Sequence, residues 1–275
     1  MKQCLLLIFL FFVILVAPVL PAPLVKASSQ QAYQDYLYQF DIYRQDYNNF
    51  KVAQNEYFKF QTLTSQQTAL SATTSMMSQR DVLLKTFLLL LNEKLNESAG
   101  ITDADRSYYQ SLIRNENTFL NGQATLVSSV GSLEDAANVS RQLEDHYKVL
   151  VGSELQIAAG IMLGNLTGFA NDFDKNLADA KALVSINRGS FSPEKQSLLD
   201  RWLLQITNTR SLYQAKVDDI NQKISQLKVS NSSFSSIDPN LLYSQIKQEL
   251  GEARQYLLDG ANYLGELINE LRYLN

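Results

Sequence analysis

The sequence is poor in cysteine and histidine, and this shortage excludes several kinds of site. Cys4 is the only cysteine and His146 the only histidine among 275 residues. Zinc sites draw mainly on these two residue types, so we predict no metal site. A single cysteine also excludes an internal disulfide, so the apolar core alone must hold the fold together.

The usual groups of nucleophilic catalysis are missing too. A Ser–His or Cys–His system needs its histidine beside a nucleophile and an orienting group. His146 instead lies in a helical pattern between Asp145 and Tyr147, and no serine stands in a recognisable motif. Residues 172–176 resemble the start of a calcium loop, but Leu177 stands where glycine is required. The sequence therefore predicts a non-enzymatic protein with no catalytic residue, no cofactor and no small-molecule ligand.

Positive charge is also scarce, which limits the partners. The 24 lysines and arginines are outnumbered by 28 acidic residues, and the net charge is −4. Loss of residues 1–27 would remove Lys2 and Lys26 and no acid, and would lower the net charge to −6. Phosphate binding requires a basic surface, so we predict that nucleic acid is not a partner.

The amino terminus has the features of a signal peptide. Lys2 precedes twelve uninterrupted apolar residues, 5–16, and three prolines follow before Ala27. The apolar run is too short for a membrane span. Val25 and Ala27 are the kind of small or β-branched residues that signal peptidase accepts at the −3 and −1 positions before its cleavage site. We predict a signal peptide at 1–27 and an exported domain at 28–275, secreted or at the cell surface. The alternative is an uncleaved anchor.

Beyond residue 28 the apolar residues recur at spacings of three and four, which is typical of amphipathic helices. Capping residues precede several of the expected helix starts, and prolines 193 and 239 stand at first helical positions. The fold class is therefore all-α, an elongated antiparallel bundle. Its six long helices are predicted at 29–61, 65–98, 103–130, 133 to about 187, 193–229 and 239–274, joined between the last two by a polar linker at 230–237.

We predict that the bundle is a single domain. If it divides into two sub-bundles, we expect these at 28–131 and 132–275. The break near residues 62–64 favours a hairpin of the first two helices over one continuous rod. Aromatic residues form a seam along the first helix, which indicates core packing rather than a lipid or carbohydrate platform. The seam consists of Tyr33, Tyr36, Phe40, Tyr43, Tyr47, Phe50 and Tyr57.

The most unusual stretch is 149–170, which is apolar or small except for Glu154, Gln156 and Asn165. Gly160, Gly164 and Gly168 are spaced by four and form one smooth stripe on a helix, which lets another helix approach closely. The stretch is long enough to span a bilayer core. Two interpretations stay open: a buried packing helix, or a segment for membrane contact or self-association.

Part of the chain also resembles a group of known sequences. Residues 30–98 resemble uncharacterised exported helical proteins of small-genome candidate-phylum bacteria. That resemblance implies a bacterial, extracytoplasmic setting and carries no activity. From these observations we expect a structural or protein-interaction role at the cell surface, or alternatively a membrane-active role through residues 149–170. The resemblance rests on Tyr36-Leu37-Tyr38-Gln39-Phe40, Tyr43-Arg44, Phe50-Lys51-Val52-Ala53, Gln79-Arg80-Asp81 and Leu91-Asn92-Glu93-Lys94-Leu95.

Overall fold

The computed structural model describes residues 26–230 and 238–272, and within those ranges it is all-helical with no strand. The predicted all-α class is confirmed, and the predicted helix ends differ from the observed ones by at most three residues. A short 3₁₀ turn, Arg188–Ser190, follows the fourth helix. The helices are α1 (Lys26–Phe60), α2 (Leu63–Glu97), α3 (Asp103–Ser128), α4 (Leu133–Asn187), α5 (Pro193–Ser230) and α6 (Pro239–Arg272).

Some sequence predictions concern residues outside these ranges. The predicted signal peptide lies outside the described residues except for Lys26 and Ala27, which begin α1. The linker between α5 and α6 lies outside them apart from Ser230. The last two residues of the predicted sixth helix, 273–274, also lie outside the described residues.

Side-chain caps set where the helices begin. Thr102 accepts a hydrogen bond from the backbone N–H of Asp105 at 3.1 Å, and this confirms the predicted start of α3. Ser132 accepts in the same way from the N–H of Asp135 at the start of α4. These bonds satisfy N–H groups that have no partner within the helix.

The first two helices form a hairpin, as the sequence favoured, and the single-rod alternative is wrong. Gln61 ends α1 in a left-handed conformation with φ of 46°. Thr62 and Ser65 then form a reciprocal capping box that starts α2. From this turn α1 packs back along α2, and the aromatic seam supplies much of the contact, with Tyr36 and Phe50 buried.

Helix α2 is buried on two sides because it lies between α1 and the pair α3–α4. One apolar stripe, with Leu88, Leu91 and Leu95, packs with α3 and α4. Leu83 and Leu90 form a second stripe that packs against α1. The sequence analysis missed this second stripe because it assigned one apolar face to each helix.

Helix α4 has 55 residues and takes part in two packing groups. At a rise of 1.5 Å per residue it is about 80 Å long. Leu143, Ile157 and Ile161 pack with α2 and α3. Farther along, Phe173 and Leu177 pack with α5 and α6. The two groups of helices are therefore joined through one continuous helix.

Helices α5 and α6 pack through apolar residues at spacings of three and four, as the amphipathic pattern predicted. On α5, Trp202 and Val217 are half-buried, and the buried residues at this spacing are Leu199, Ile206, Tyr213, Ile220, Ile224 and Leu227. On α6 the buried residues at this spacing are Leu250, Ala253, Leu257, Gly260, Leu264 and Leu267. The core also extends about two turns nearer the start of α6, where Leu242, Tyr243 and Ile246 are buried.

The turn conformation makes a prediction about stability. Glycine reaches a positive φ without the steric cost that a side chain carries. Gln61→Gly should therefore raise the free energy of unfolding by about 0.5–1 kcal/mol, and Gln61→Val should lower it by about 1 kcal/mol. Urea unfolding followed by circular dichroism measures both. Equal stability of the two variants would contradict the turn described.

Candidate functional site

The apolar stretch 149–170 lies at the centre of the molecule. Among the described helices it is part of the one helical region, 133–190, that is long and apolar enough to cross a membrane, and 67% of the most apolar window there is buried. One side of the stretch, with Ile157 and Ile161, packs on α2 and α3. The other side, with Leu155 and Ala159, packs with the helices of the α5–α6 group. In this arrangement the apolar length is used for packing.

The glycine stripe forms the contact surface for the connection between α2 and α3. A side chain at Gly160 would collide with the ring of Tyr109. At Gly164 a Cβ atom would collide with Ile101 and lie 2.7 Å from the hydroxyl of Ser98. The stripe therefore allows the turn between α2 and α3 to lie directly on the α4 backbone.

Gly100 completes this contact from the opposite side. A Cβ atom on Gly100 would collide with the carbonyl oxygen of Gly164 and the backbone nitrogen of Gly168. Such an approach between two backbones is open only to glycine, and here each partner is glycine. The close approach of helix and turn requires glycine at positions 100 and 164, whereas a Cβ atom on Gly168 would make only an ordinary contact, 3.5 Å from the backbone nitrogen of Gly100.

A buried polar cluster also lies between α3 and α4, nearer the start of α4 than the glycine contact. Glu116 is 3% exposed and each of its carboxylate oxygens accepts a hydrogen bond. Nε2 of His146 donates to one oxygen at 2.7 Å, and the hydroxyl of Ser153 donates to the other at 2.9 Å. The ring of Phe119 stacks on the imidazole with centroids 3.7 Å apart. The cluster therefore fixes the orientation of the half-buried histidine.

The order of these contacts differs from that of a catalytic triad. In a triad the histidine receives the proton of the serine, and the acid contacts the opposite side of the imidazole. Here Glu116 lies between Ser153 and His146, so the serine hydroxyl donates to the acid. This geometry supports a structural hydrogen-bond network, since the serine is not activated by a base.

Glu154 adds an unusual acid to the same region. One of its carboxylate oxygens is buried and has no hydrogen-bond partner. Burial, reinforced by the nearby charge of Glu116, raises the pKa of the Glu154 carboxyl to about 8. Burial likewise raises the pKa of the Tyr36 phenol, and the Glu154 carboxylate adds to that effect. Glu154 is thus mostly protonated at neutral pH, which lowers the cost of burying it.

Helix α2 carries a further buried acid, Asp81. Asp81 is 1% exposed, and the closest cation is the Nε atom of Arg80 at 3.8 Å. Burial raises the pKa of Asp81 to about 6, although Arg80 and Lys85 oppose the rise. The distance to Arg80 is too long for a hydrogen bond, so desolvation outweighs the attraction.

The sequence analysis missed Asp81 and Glu116 as buried acids, although the spacing of both residues in their helices indicates a buried position. Asp81 continues the apolar series of α2 between Met77 and Leu84. On α3, Glu116 lies in the buried series between Ile113 and Leu120. A polar residue at a core position of a helical repeat marks a buried polar group, and that criterion would have found both acids.

Three further polar features of the described residues bear on ligand binding. No group of three or more metal-ligating side chains occurs in the part of the chain that the structure describes. Asp174, from the sequence that resembled a calcium loop, lies inside α4 and forms an ion pair with Arg210 at 2.8 Å. An open groove of about 460 Å³ between α1 and α2 is lined mainly by amide and hydroxyl side chains together with Asp46.

The glycine contact leads to a prediction with a matched control. Gly164→Ala should lower the free energy of unfolding by about 1–3 kcal/mol, because the added methyl group overpacks against Ile101. Gly251→Ala lies in open space on α6 and should raise stability by about 0.5–1 kcal/mol. Chemical denaturation of both variants tests this, and equal effects would contradict the packing described.

The raised pKa of Glu154 predicts how stability depends on pH. The carboxyl titrates at about 8 when folded and near its ordinary 4.5 when unfolded. Over that window the folded state keeps a proton that the unfolded chain releases, so raising the pH lowers the free energy of unfolding. The loss is at most about 1.4 kcal/mol per pH unit.

Glu154→Gln removes this titration and keeps the side-chain volume. The stability advantage of the variant over the unsubstituted protein should therefore grow as the pH rises from about 5 to 8 and level off by about 9. Urea unfolding across that range measures the difference, and background titrations such as that of Asp81 cancel in the comparison. A difference that does not change with pH would show that Glu154 is ionised in the folded protein.

Comparison of the chain with protein-family models, with curated proteins and with solved structures finds no match in any of the three. The resemblance of residues 30–98 to exported helical proteins therefore stays a prediction.

Proposed function

We propose that the chain is an exported, non-enzymatic helical protein with a structural or interaction role at the cell surface. The observation that carries this proposal is the hydrogen-bond order around the only histidine. Ser153 and His146 both donate to Glu116, so the histidine does not accept the serine proton. The cluster of serine, histidine and acid therefore has the geometry of a structural hydrogen-bond network and not of a catalytic triad. The partners would be other proteins or further copies of the chain.

The contacts at the start of α1 support the predicted processing. The hydroxyl of Ser28 donates to Glu93. The N–H and hydroxyl of Ser29 donate to Glu97 at 3.0 and 2.6 Å. Cleavage after Ala27 would create a positively charged amino group at Ser28, directly beside these two carboxylates. The new charge would then be stabilised by acids already in place.

Producing the full chain in an exporting bacterium tests this proposal. The expected product begins at Ser28 by amino-terminal sequencing and is digested by protease added to intact cells. The matched control is Ala27→Arg, which places a large charged residue where signal peptidase requires a small one and should block cleavage. Retention of the uncleaved chain in the cytoplasm would contradict export.

The interaction role has its own test. Cross-linking on intact cells, followed by sedimentation of the purified protein, should give either self-association or a defined protein partner. A monomer that captures nothing at the cell surface would count against this role and leave the export result untouched.

A membrane-active role through 149–170 is a second candidate, and one observation favours it. Charged groups oppose insertion of an apolar helix, but the raised pKa of Glu154, about 8, leaves that side chain largely neutral at pH 7. Insertion would require α4 to leave both packing groups. Dye leakage from vesicles at neutral pH is then expected, and Glu154→Lys should abolish it. Sealed vesicles under all conditions would rule this role out.

A further inference from the structure

The α1–α2 hairpin extends beyond the rest of the bundle as a two-helix arm, residues 51–71. The apolar cluster nearest the arm joins α1 and α2 to α3 and α4. It contains Phe50 and Met76, and Ala72 packs against it. Within the arm the only buried residues are Ala53 and Ala69, one on each helix. Ten residues of α1 follow Phe50, so the arm projects about 15 Å.

Large apolar side chains are exposed at the tip of this arm. Phe58, Phe60 and Leu63 are 65%, 57% and 70% exposed. Lys59 lies between the two phenylalanines, with its ammonium 5.0 Å from the centroid of the Phe60 ring. Exposed aromatic rings beside a lysine suit the boundary between lipid headgroups and acyl chains, where the rings enter and the ammonium stays in the polar layer.

The tip also differs from the rest of the molecule in charge. Lys59 is the only charged residue between positions 57 and 79, although the whole chain has a net charge of −4. A second exposed apolar pair, Leu183 and Ile186, lies close in sequence to Arg188, which forms an ion pair with Asp200. The tip is therefore an exposed apolar surface that could enter a lipid interface with little desolvation of charge.

The turn itself satisfies much of its backbone internally. The N–H of Gln61 donates to the carbonyl of Tyr57, and the N–H of Gln66 to that of Thr62, both at 2.9 Å. The N–H groups of Thr62 and Ser65 are bound in the capping box. Unpaired backbone groups are the main cost of placing a turn in a lipid environment, and these bonds reduce it.

The size of the tip argues against a second copy of the chain as its partner. Its three exposed side chains offer roughly 350 Å², less than half of the roughly 800 Å² per partner that a stable interface buries. We propose that the tip of the arm, residues 57–63, inserts into the headgroup layer of a lipid bilayer while the helical core stays closed. This goes beyond the proposed function and requires no opening of residues 149–170.

Vesicle flotation tests the proposal with purified residues 28–275, which include nearly all the described residues. The vesicles contain equal parts of phosphatidylethanolamine and phosphatidylglycerol and enclose a dye. The unsubstituted protein should float without dye leakage. Each of Phe58→Ser, Phe60→Ser and Leu63→Ser should lower the partition coefficient about fivefold, because about half of an apolar side chain loses its burial in lipid.

The matched control replaces equally exposed residues elsewhere. Leu183→Ser, Ile186→Ser and Leu204→Ser together should leave flotation unchanged, although they remove a similar apolar area. Circular dichroism checks that every variant keeps its helix content. Three outcomes would overturn the proposal: no flotation of the unsubstituted protein, equal flotation of the tip variants, or flotation that always accompanies leakage.

A second measurement keeps the proposal testable if a tip variant fails to fold. The chain from residue 28 onward has no cysteine, so Gln61→Cys and, as a control, Asn208→Cys accept a single environment-sensitive dye. Vesicles should shift the emission of the dye at position 61 to the blue and leave position 208 unchanged. A shift at both positions or at neither would contradict insertion of the tip. Sedimentation that shows a dimer lost in the tip variants, without vesicle binding, would assign the tip to a second copy.

Discussion

The contact between the α4 backbone and the α2–α3 turn is the constraint on which the rest of the structure depends. A Cβ atom on Gly100 would collide with the α4 backbone at Gly164 and Gly168, and a Cβ atom on Gly164 would collide with Ile101 beside the turn. Because α4 also packs along α5 and α6, this contact sets how the two packing groups share one helix. A methyl group at this point would separate the turn from the helix and displace the cores on either side.

Buried polar groups are the second feature that organises the core. Glu116 is fully hydrogen-bonded, whereas Glu154 and Asp81 are not, and their pKa values rise to about 8 and 6. Because the folded protein keeps protons on these unpaired acids that the unfolded chain releases, its stability falls as the pH increases. The raised pKa of Glu154 also relates the buried core to the membrane-active alternative, since the same proton that permits burial in protein permits burial in lipid.

The surface that remains for function is therefore limited. The apolar length of α4 is used in packing, and the histidine is held by Glu116. Packing also leaves the apolar tip of the α1–α2 arm exposed, including Phe58 and Phe60. Its position, about 15 Å beyond the α3–α4 end of the bundle, separates it from most of the acidic surface by more than a Debye length.

The sequence by itself determined the helices, because caps such as Thr102 and Ser132 and the spacing of apolar residues act within a few residues of each other. It also marked the glycine stripe, whose spacing of four is a property of one helix. Only the tertiary structure decided what lies on that stripe, because the partner turn is more than fifty residues away in the chain. The same holds for the two buried sides of α2 and for Glu116, whose partners come from another helix. Interactions between residues close in the chain can be predicted from the sequence, whereas contacts between distant segments depend on how all six helices pack together.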